Sequence, residues 1–568
     1  MAYVINQELC SCCHRCRVEC PKDAVRFKDS KYYIDPDKCV ECGHCALVCH
    51  NNVISLPGSE EKPALHEPKE MTCDVLVAGA GASGLAAAAK AAEAGLKVLV
   101  IEKNKEIGGS AWYAHCFRNL YSVWHKEAGM PDERDAKYDE FMEKTEGRVD
   151  GKVLSRIFDA NVDFVNWLIE KHDLGKDYKF DRLFWGGFGP MAKYEWDYNK
   201  KRIDTAIGPG GTGWFLCNKL LGIFEENGGQ ILYNTALEDV EFGENGEVKG
   251  AMAKDAGGKI HITCSQCVLA AGSFSRNKKL TNEFNPIFYK EGTEPVHVFT
   301  CSTCTGDGIE IARKHDVDID FENARVAMFG PMRHPFGTAS LNAGRSHSGF
   351  EVNYKGDVFE NKGFGEMISP LANDDKRYLW KILDEATIIE EMERSKGKPE
   401  DVPGCNMDRF FDDWRADFER EEAWGATVKA DTLEELADKL NIPREKFLAA
   451  VDKYNETCGV EVEEMTPFGL MKWPPKKEMK DGSGPFYALK EKLFHENAIG
   501  GIVIDGGMHA LSGGKPVKGL YACGDNTRGI MVPGKVGVAY VESVISALTF
   551  AFSSGYAVGE ECVKNAHA

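Results

Sequence analysis

CDVLVAGAGASGLAAAAKAAEAGLKVLVIEK occupies residues 73–103. An apolar run from Asp74 to Ala78 breaks at Gly79-x-Gly81-x2-Gly84, an alanine-rich stretch follows from Leu85 to Ala94, and a second apolar run, Lys97 to Ile101, ends on Glu102. The order predicts strand, tight turn, helix and second strand, the opening βαβ unit of a parallel sheet. Glycines at this spacing let the backbone close on a pyrophosphate at the helix N-terminus, and an acid ending the second strand accepts from a ribose hydroxyl. Gly79, Gly81, Ala82, Ser83, Gly84, Glu102 and Lys103 are therefore candidate dinucleotide contacts. A lone GxGxxG is weak evidence; strand, helix, strand and acid together make it strong.

Upstream lie nine of the 20 cysteines, all within residues 10–49. Cys10-x2-Cys13-x2-Cys16-x3-Cys20-Pro21 is one run, and Cys39-x2-Cys42-x2-Cys45-x3-Cys49 is the other. Three close thiolates wrap one side of a 4Fe–4S cube, and the fourth of each run ligates the other cube. Cys10, Cys13, Cys16 and Cys49 are assigned to one cube, and Cys39, Cys42, Cys45 and Cys20 to the other. Cys12 falls outside the spacing. Zinc or free thiols form the competing reading, but eight cysteines at these spacings rarely arise for either. Residues 1–57 resemble a bacterial-type two-cluster ferredoxin; His50 is a departure, since proline is usual after the fourth cysteine. Residues 58–71, with Gly58, Pro63 and Pro68, read as a linker.

Downstream, Gly108-Gly109-Ser110 follows the second strand, Gln266 to Gly272 is a later strand, and Thr305-Gly306-Asp307-Gly308 opens a helix. Gly519-Leu-Tyr-Ala-Cys-Gly524-Asp525 is a strand ending in Gly-Asp, with a further helix from about Gly537. In this order the segments resemble the flavoprotein family of fumarate reductase, urocanate reductase and 3-ketosteroid dehydrogenase over about residues 72–568. The resemblance implies FAD, with contacts from Gly109, Ser110, Ala271, Gly272, Asp307, Gly524, Asp525 and Val538 added to the first set. It also implies a multidomain α/β architecture. A small α+β two-cluster ferredoxin domain occupies 1–57, and a Rossmann-like FAD domain is built from two segments, 72–339 and 486–568. Between those segments an α+β capping domain is inserted at 340–485. Asn353 to Asn361 resembles the family's strand–turn–strand, and the charge-rich stretches Asp431 to Leu440 and Arg444 to Asn455 read as solvated helices with one buried face rather than binding sites.

The chemistry of that family is hydride transfer between flavin N5 and a C=C bond activated by a carboxylate or carbonyl, with cationic groups holding the developing charge. His495-Glu496-Asn497-Ala-Ile-Gly500-Gly501 matches the family's His-Thr-x-Gly-Gly segment, with Asn497 at the histidine's place and His495 two residues earlier. Lys535 stands where the family's substrate-clamping arginine would be, keeping the charge but losing the fork. Lys362 takes the place of the relay acid. Ile388 lies near the place of the proton-donating arginine, and Arg377 is the nearest arginine. Lys535, His495, Arg528, Tyr487 and Asn497 are the candidate catalytic residues. Arg528 is a possible anion clamp in the turn near the flavin, and the segment of Tyr487 is often structural in the family. A dicarboxylate needs at least two cationic clamps, so a bulkier conjugated substrate is expected, an enone, an enoate or a ring compound. The aromatic stretch Phe180 to Tyr198 lines a flat pocket, or forms ordinary core or an interface.

Composition sets limits on the rest. The chain has 568 residues, room for three or four domains at about 150 each. Lys+Arg 69 against Asp+Glu 89 gives −20, which argues against nucleic acid as a partner. Residues 1–57 are balanced, with seven cationic and seven anionic side chains, so the excess lies on the rest of the chain. No apolar run reaches the length of a membrane span, and the chain enters its cysteines without a basic start and apolar stretch. The expectation is a cytoplasmic protein in a reducing compartment, where clustered cysteines more often bind metal than form disulfides. Its expected partners are a small unsaturated substrate, an external low-potential donor (ferredoxin, flavodoxin or an NADH-linked reductase) and a second copy of itself. The other reading is an electron-transfer or bifurcating subunit with no organic substrate. Cys264-x2-Cys267 and Cys301-x2-Cys304 invite a third metal site, yet they lack the Gly or Pro turn of metal knuckles and read as buried small hydrophobes. Two cubes and no third cluster predict an iron content of about eight per chain in anaerobically purified protein; a value near four would remove one cube.

Overall fold

The computed structural model describes residues 2–13, 15–28, 31–58, 65–114, 117–182, 188–192, 212–284, 297–298, 300–333, 349–359, 376–395, 414–423, 425–456, 458, 477–530 and 547–566. Val75–Ala78 and Val98–Ile101 are strands, fully buried on both faces, as continuous apolar runs in a covered parallel sheet require. They sit at the centre of a six-stranded sheet in the order 230–232, 98–101, 75–78, 266–269, 515–522, 509–512. The first four pairings are parallel and the last, between His509–Ser512 and Lys515–Ala522, is antiparallel. Gln266–Leu269 therefore pairs with both Val75–Ala78 and the C-terminal Lys515–Ala522, so two segments far apart in sequence build one sheet. The helix between the first two strands runs Ala82–Glu93, and ten of its twelve residues are buried.

Small side chains explain that burial. The C-terminal helix Ala547–Ala566 packs across Ala82–Glu93 so closely that a Cβ on Gly555 would lie 2.0 Å from the Ser83 carbonyl oxygen, and one on Gly559 2.9 Å from that of Ala87. The long helix Gly151–His172 flanks this pair. It is capped by Asp150, which accepts from the amides of Lys152 and Val153, and it contributes Phe164 to a cluster with Phe117, Phe552 and Tyr556.

A four-stranded sheet orders 236–242, 248–255, 258–263 and 69–72. Its edge strand Lys69–Thr72 draws the end of the expected linker into regular structure. The seven-stranded sheet takes strands from 297–298, 319–333, 350–352, 358–359, 378–384, 427–430 and 486–502. Its strands lie on both sides of the expected cap limits, 340 and 485, because Ile319–Arg333 pairs along most of Phe486–Ile502. Leu433–Leu440 and Arg444–Asn455 are helices whose apolar faces close a second core with Phe350, Trp380 and Phe486. At the N-terminal end two short antiparallel pairs, Val4–Ile5 with Ile54–Ser55 and Val25–Lys28 with Lys31–Ile34, enclose a small core of Ile5, Val25, Phe27, Tyr32, Val53 and cysteines. Among the described residues no helix is long and apolar enough to cross a membrane.

Backbone contact between the two central helices predicts that Gly555→Ala costs about 1–3 kcal/mol through overpacking. A thermal melt reads it as a lowered Tm, whereas Gly222→Ala, at a site with open space, leaves the Tm near that of the parent.

Candidate functional site

The Gly-rich turn is shaped by backbone crowding on one side and openness on the other. Gly79, at φ +112°, could not carry a side chain, since a Cβ would lie 2.3 Å from the Ala270 carbonyl oxygen. A Cβ on Gly84 would lie 1.9 Å from the Gly79 oxygen. Gly81 differs: a Cβ there would meet only the Gly108 oxygen, at 4.0 Å. Gly81 is also the N-cap of the helix and offers no side-chain acceptor to its first amides, which leaves them for an anion.

Other segments converge on this turn. Gly109 approaches Gly81, with a notional Cβ 3.7 Å from its Cα, and the Ser110 hydroxyl lies 3.3 Å from Cys304 Sγ. Gly272, at φ +74°, lies against Cys304 in turn, and Ala271 separates it from the Ala270 that crowds Gly79. Gly524, at φ +63°, abuts Ser83 and donates its amide to Ser554, which sets Asp525 beside the helix start. Glu102 is buried; one carboxylate oxygen accepts from the Ala80 amide and the other from the Asn104 amide, both at 2.7 Å. Burial pushes its pKa up, against these two donors and the nearby Lys103. Lys103 Nζ lies 2.7 Å from Asp307, and Thr305 donates to the same carboxylate at 2.6 Å, so two candidate contacts hold each other. Asn526 Oδ1 is buried without a partner among the described residues. A glycine cradle, an uncapped helix start and a buried acid at the end of the second strand fit FAD.

The candidate catalytic residues are more scattered. Lys535 and Val538 lie outside the described residues, as do Lys362 and most of the aromatic stretch 180–198. His495 and Asn497 are on the strand Phe486–Ile502, with backbone partners Met328 and Ala327. That strand ends at Gly500-Gly501, where a Cβ on Gly501 would lie 2.5 Å from the Asn526 oxygen. It thus carries the His-x-Asn segment from the seven-stranded sheet to the turn beyond Asp525. Arg528 donates its backbone amide to Ile502, its Nη2 to the Arg148 carbonyl at 2.7 Å, and pairs with Asp320 at 2.9 Å. Tyr487 is buried on the same strand, 13 residues before Gly500 (500 − 487), among Leu383, Ile388, Phe418 and Leu489. Burial pushes its phenol up to about 12. Arg377 is 2% exposed and sits at φ +52°.

The cysteines near the N-terminus form two neighbourhoods. Burial, with Cys49 and Cys10 close by, pushes the Cys13 thiol up to about 12; Cys16 is raised by burial, by Cys10, Cys13 and Cys49, and least by Cys45 of the other group. Cys45 is pushed up to about 11 by burial and by Cys20, Cys39 and Cys42. Such thiols deprotonate only with a metal to bind. Among the described residues no three His, Cys, Asp or Glu side chains gather round a single ion, Cys264, Cys267, Cys301 and Cys304 included; a cube spreads its four thiolates more widely.

A group of contacts that the motifs do not announce joins this region to the dinucleotide turn. The His50 side chain is wholly buried, with Nδ1 2.8 Å from Glu106 and Nε2 3.1 Å from the Gly109 carbonyl. Its ring stacks on Trp112 at 4.7 Å and 12°. Asn104 donates to the His50 carbonyl, Asn51 accepts from the Ser302 amide, and Lys105 donates to the carbonyls of Ala46 and Leu47. Burial works against a charge on His50, but Cys301 and Glu106 push it up to about 9. Only histidine in place of the usual proline at position 50 signalled this contact in the sequence.

A family model described as an FAD binding domain matches residues 74–535, and one described as a 4Fe-4S binding domain matches residues 32–55. The chain belongs to the FAD binding domain family and carries a 4Fe–4S binding domain near its N-terminal end. It is 25% identical to the NADH:acrylate oxidoreductase of Vibrio harveyi over 82% of this chain and 49% of that protein, so it spans about half the length of that relative. It is 22% identical to the vinyl phenol reductase of Lactiplantibacillus plantarum over 88% of this chain and 98% of that protein. The open conformation of a flavocytochrome c3 fumarate reductase shares its fold, with a TM-score of 0.64 at 18% identity over 90% of this chain and 86% of that one.

Glu102→Leu strands the amides of Ala80 and Asn104 in a buried loop, at about 1–3 kcal/mol each. The purified variant is expected to carry less flavin per chain and to melt lower than the parent. Full flavin content would show that the carboxylate does not hold the cradle.

Proposed function

We propose that the chain reduces the activated C=C bond of an enone, an enoate or a related conjugated, cyclic or aromatic compound, with electrons supplied through two 4Fe–4S clusters. Cys10, Cys13, Cys16 and Cys49 hold one cluster; Cys20, Cys39, Cys42 and Cys45 hold the other. FAD, when bound, supplies a hydride from N5, and the clusters supply single electrons. The Gly79–Gly84 turn, Glu102, Gly109, Ser110, Gly272 and Asp525 hold the flavin, and Lys103 and Asp307 brace the loop beside it. The seven-stranded sheet and its helices serve as the cap.

The observation that carries this reading is the strand Phe486–Ile502. It ties a sheet with its own core to the turn beyond Asp525. A pure electron relay needs no lid over its flavin. Within the site His495 donates a proton and Lys535 polarises the substrate, with Asn497 between them in sequence. Arg528 is engaged by Asp320, so as a clamp it would have to exchange that carboxylate for the substrate's. Tyr487, in the core of the cap, packs rather than reacts. With one candidate cation so engaged, a mono-anionic or neutral conjugated substrate suits the site better than a dicarboxylate. Acrylate and vinyl phenol, named in the relatives, are the first compounds to try.

Dithionite-reduced protein mixed anaerobically with a panel of enones and enoates provides the test. Prompt flavin reoxidation by one compound is the expected result. If no compound reoxidises the flavin and only a partner protein does, the chain is an electron-transfer subunit and the reductase reading falls.

A further inference from the structure

The contact at His50 does more than fasten two parts of the chain. His50 follows Cys49 directly, and Cys49 is grouped with Cys10, Cys13 and Cys16. Its ring lies 3.1 Å from the carbonyl of Gly109, in the turn that faces Gly81. Trp112, 1% exposed, stacks on that ring, and the guanidinium of Arg15, beside Cys16, lies 5.4 Å from the centre of the Trp112 ring. No comparable bridge among the described contacts leads from Cys20, Cys39 or Cys42. Cys42 is exposed, and so are Val40 and Leu47 in the same run, at 55% and 73%.

We propose that the stacked pair His50–Trp112 is the electron port into the flavin site, that the cluster held by Cys10, Cys13, Cys16 and Cys49 is proximal to it, and that the Cys20, Cys39, Cys42 and Cys45 cluster is the distal one that meets the external donor. The inference rests on the reading of the clusters as the electron input. Electron transfer weakens steeply across gaps, and a buried π-stack hydrogen-bonded to the Gly109 carbonyl shortens the through-space part of the path from Cys49 to the turn facing Gly81. Hydrogen bonding also answers for the cost of burying an imidazole. A proline or leucine could seal the same interface but offers no π-system. Each passage oxidises one equivalent of a one-electron donor by one electron. Two passages fill the two-electron acceptor held at Gly79–Gly84, and the accompanying proton comes from solvent.

The test uses full-length protein loaded with iron and FAD. It is mixed anaerobically with reduced methyl viologen while flavin absorbance and the cluster EPR signal are followed together. His50→Gln keeps an amide able to reach Gly109 but removes the ring; Trp112→Leu removes the stack; Trp112→Phe keeps one. The expected result is that His50→Gln and Trp112→Leu slow flavin bleaching well below the parental rate, with electrons accumulating on the clusters and iron and FAD contents unchanged. Trp112→Phe retains most of the rate. A merely structural contact would not trap electrons on loaded clusters. Parental bleaching rates in loaded His50→Gln and Trp112→Leu overturn the port. Should His50→Gln shed iron, the two Trp112 variants, outside the cysteine run, decide alone. If the parent itself holds electrons on its clusters while its flavin stays oxidised, the broader reading of the clusters as input is what fails.

Discussion

Between the Gly79 carbonyl and Gly84 there is space for a hydrogen atom and nothing larger. The first turn of Ala82–Glu93 must therefore lie flat on the strand end, and its amides must point where Gly81 leaves room. Ser83, one residue before that contact, receives Gly524 from one side and the C-terminal helix at Gly555 from the other. A displaced helix start would thus move the Asp525 turn as well, and with it the end of the strand that comes from the seven-stranded sheet. Close packing transmits strain of this kind because interiors have few voids to absorb it.

The charges around this centre are arranged to be spent internally. Glu102 serves two amides, Lys103 answers Asp307, Arg528 answers Asp320, and His50 answers Glu106. Each pair is at least partly buried, so what it secures is position more than net stability. The consequence for chemistry is that a ligand calling on Lys103, Arg528 or His50 must displace the carboxylate each already holds, whereas the backbone amides at the helix start stand ready for a pyrophosphate.

Much of this was readable from residue order. Residues 73–103 specified strand, helix and strand because glycine and alanine leave one solution at that spacing, and the structure places the helix at Ala82–Glu93 and the second strand at Val98–Ile101. The helices at Leu433–Leu440 and Arg444–Asn455 stand where the sequence predicts charge-rich helices, each with one face buried. What periodicity could not supply is pairing between distant strands. Ile319–Arg333 and Phe486–Ile502 are neighbours only in space, so a cap bounded by sequence position alone divides a sheet that hydrogen bonds unite. The commitment of Arg528 to Asp320 was invisible for the same reason: the two are more than two hundred residues apart (528 − 320 = 208). Trp112 was likewise an anonymous aromatic until His50 lay against it.

Fused carriers are commonly thought of as interchangeable cassettes on flexible tethers. Here the seam between the two parts contains a wholly buried imidazole, an asparagine bonded to the opposite backbone and a lysine reaching two carbonyls. Side chains on both sides are cut to fit one another. A ferredoxin-like segment transplanted from another protein, with proline after its last cysteine, would bring the right cysteines and the wrong surface. A change at position 50 removes the packing partner of position 112, and the reverse, so the chain behaves at this seam as a single unit rather than as two modules in series.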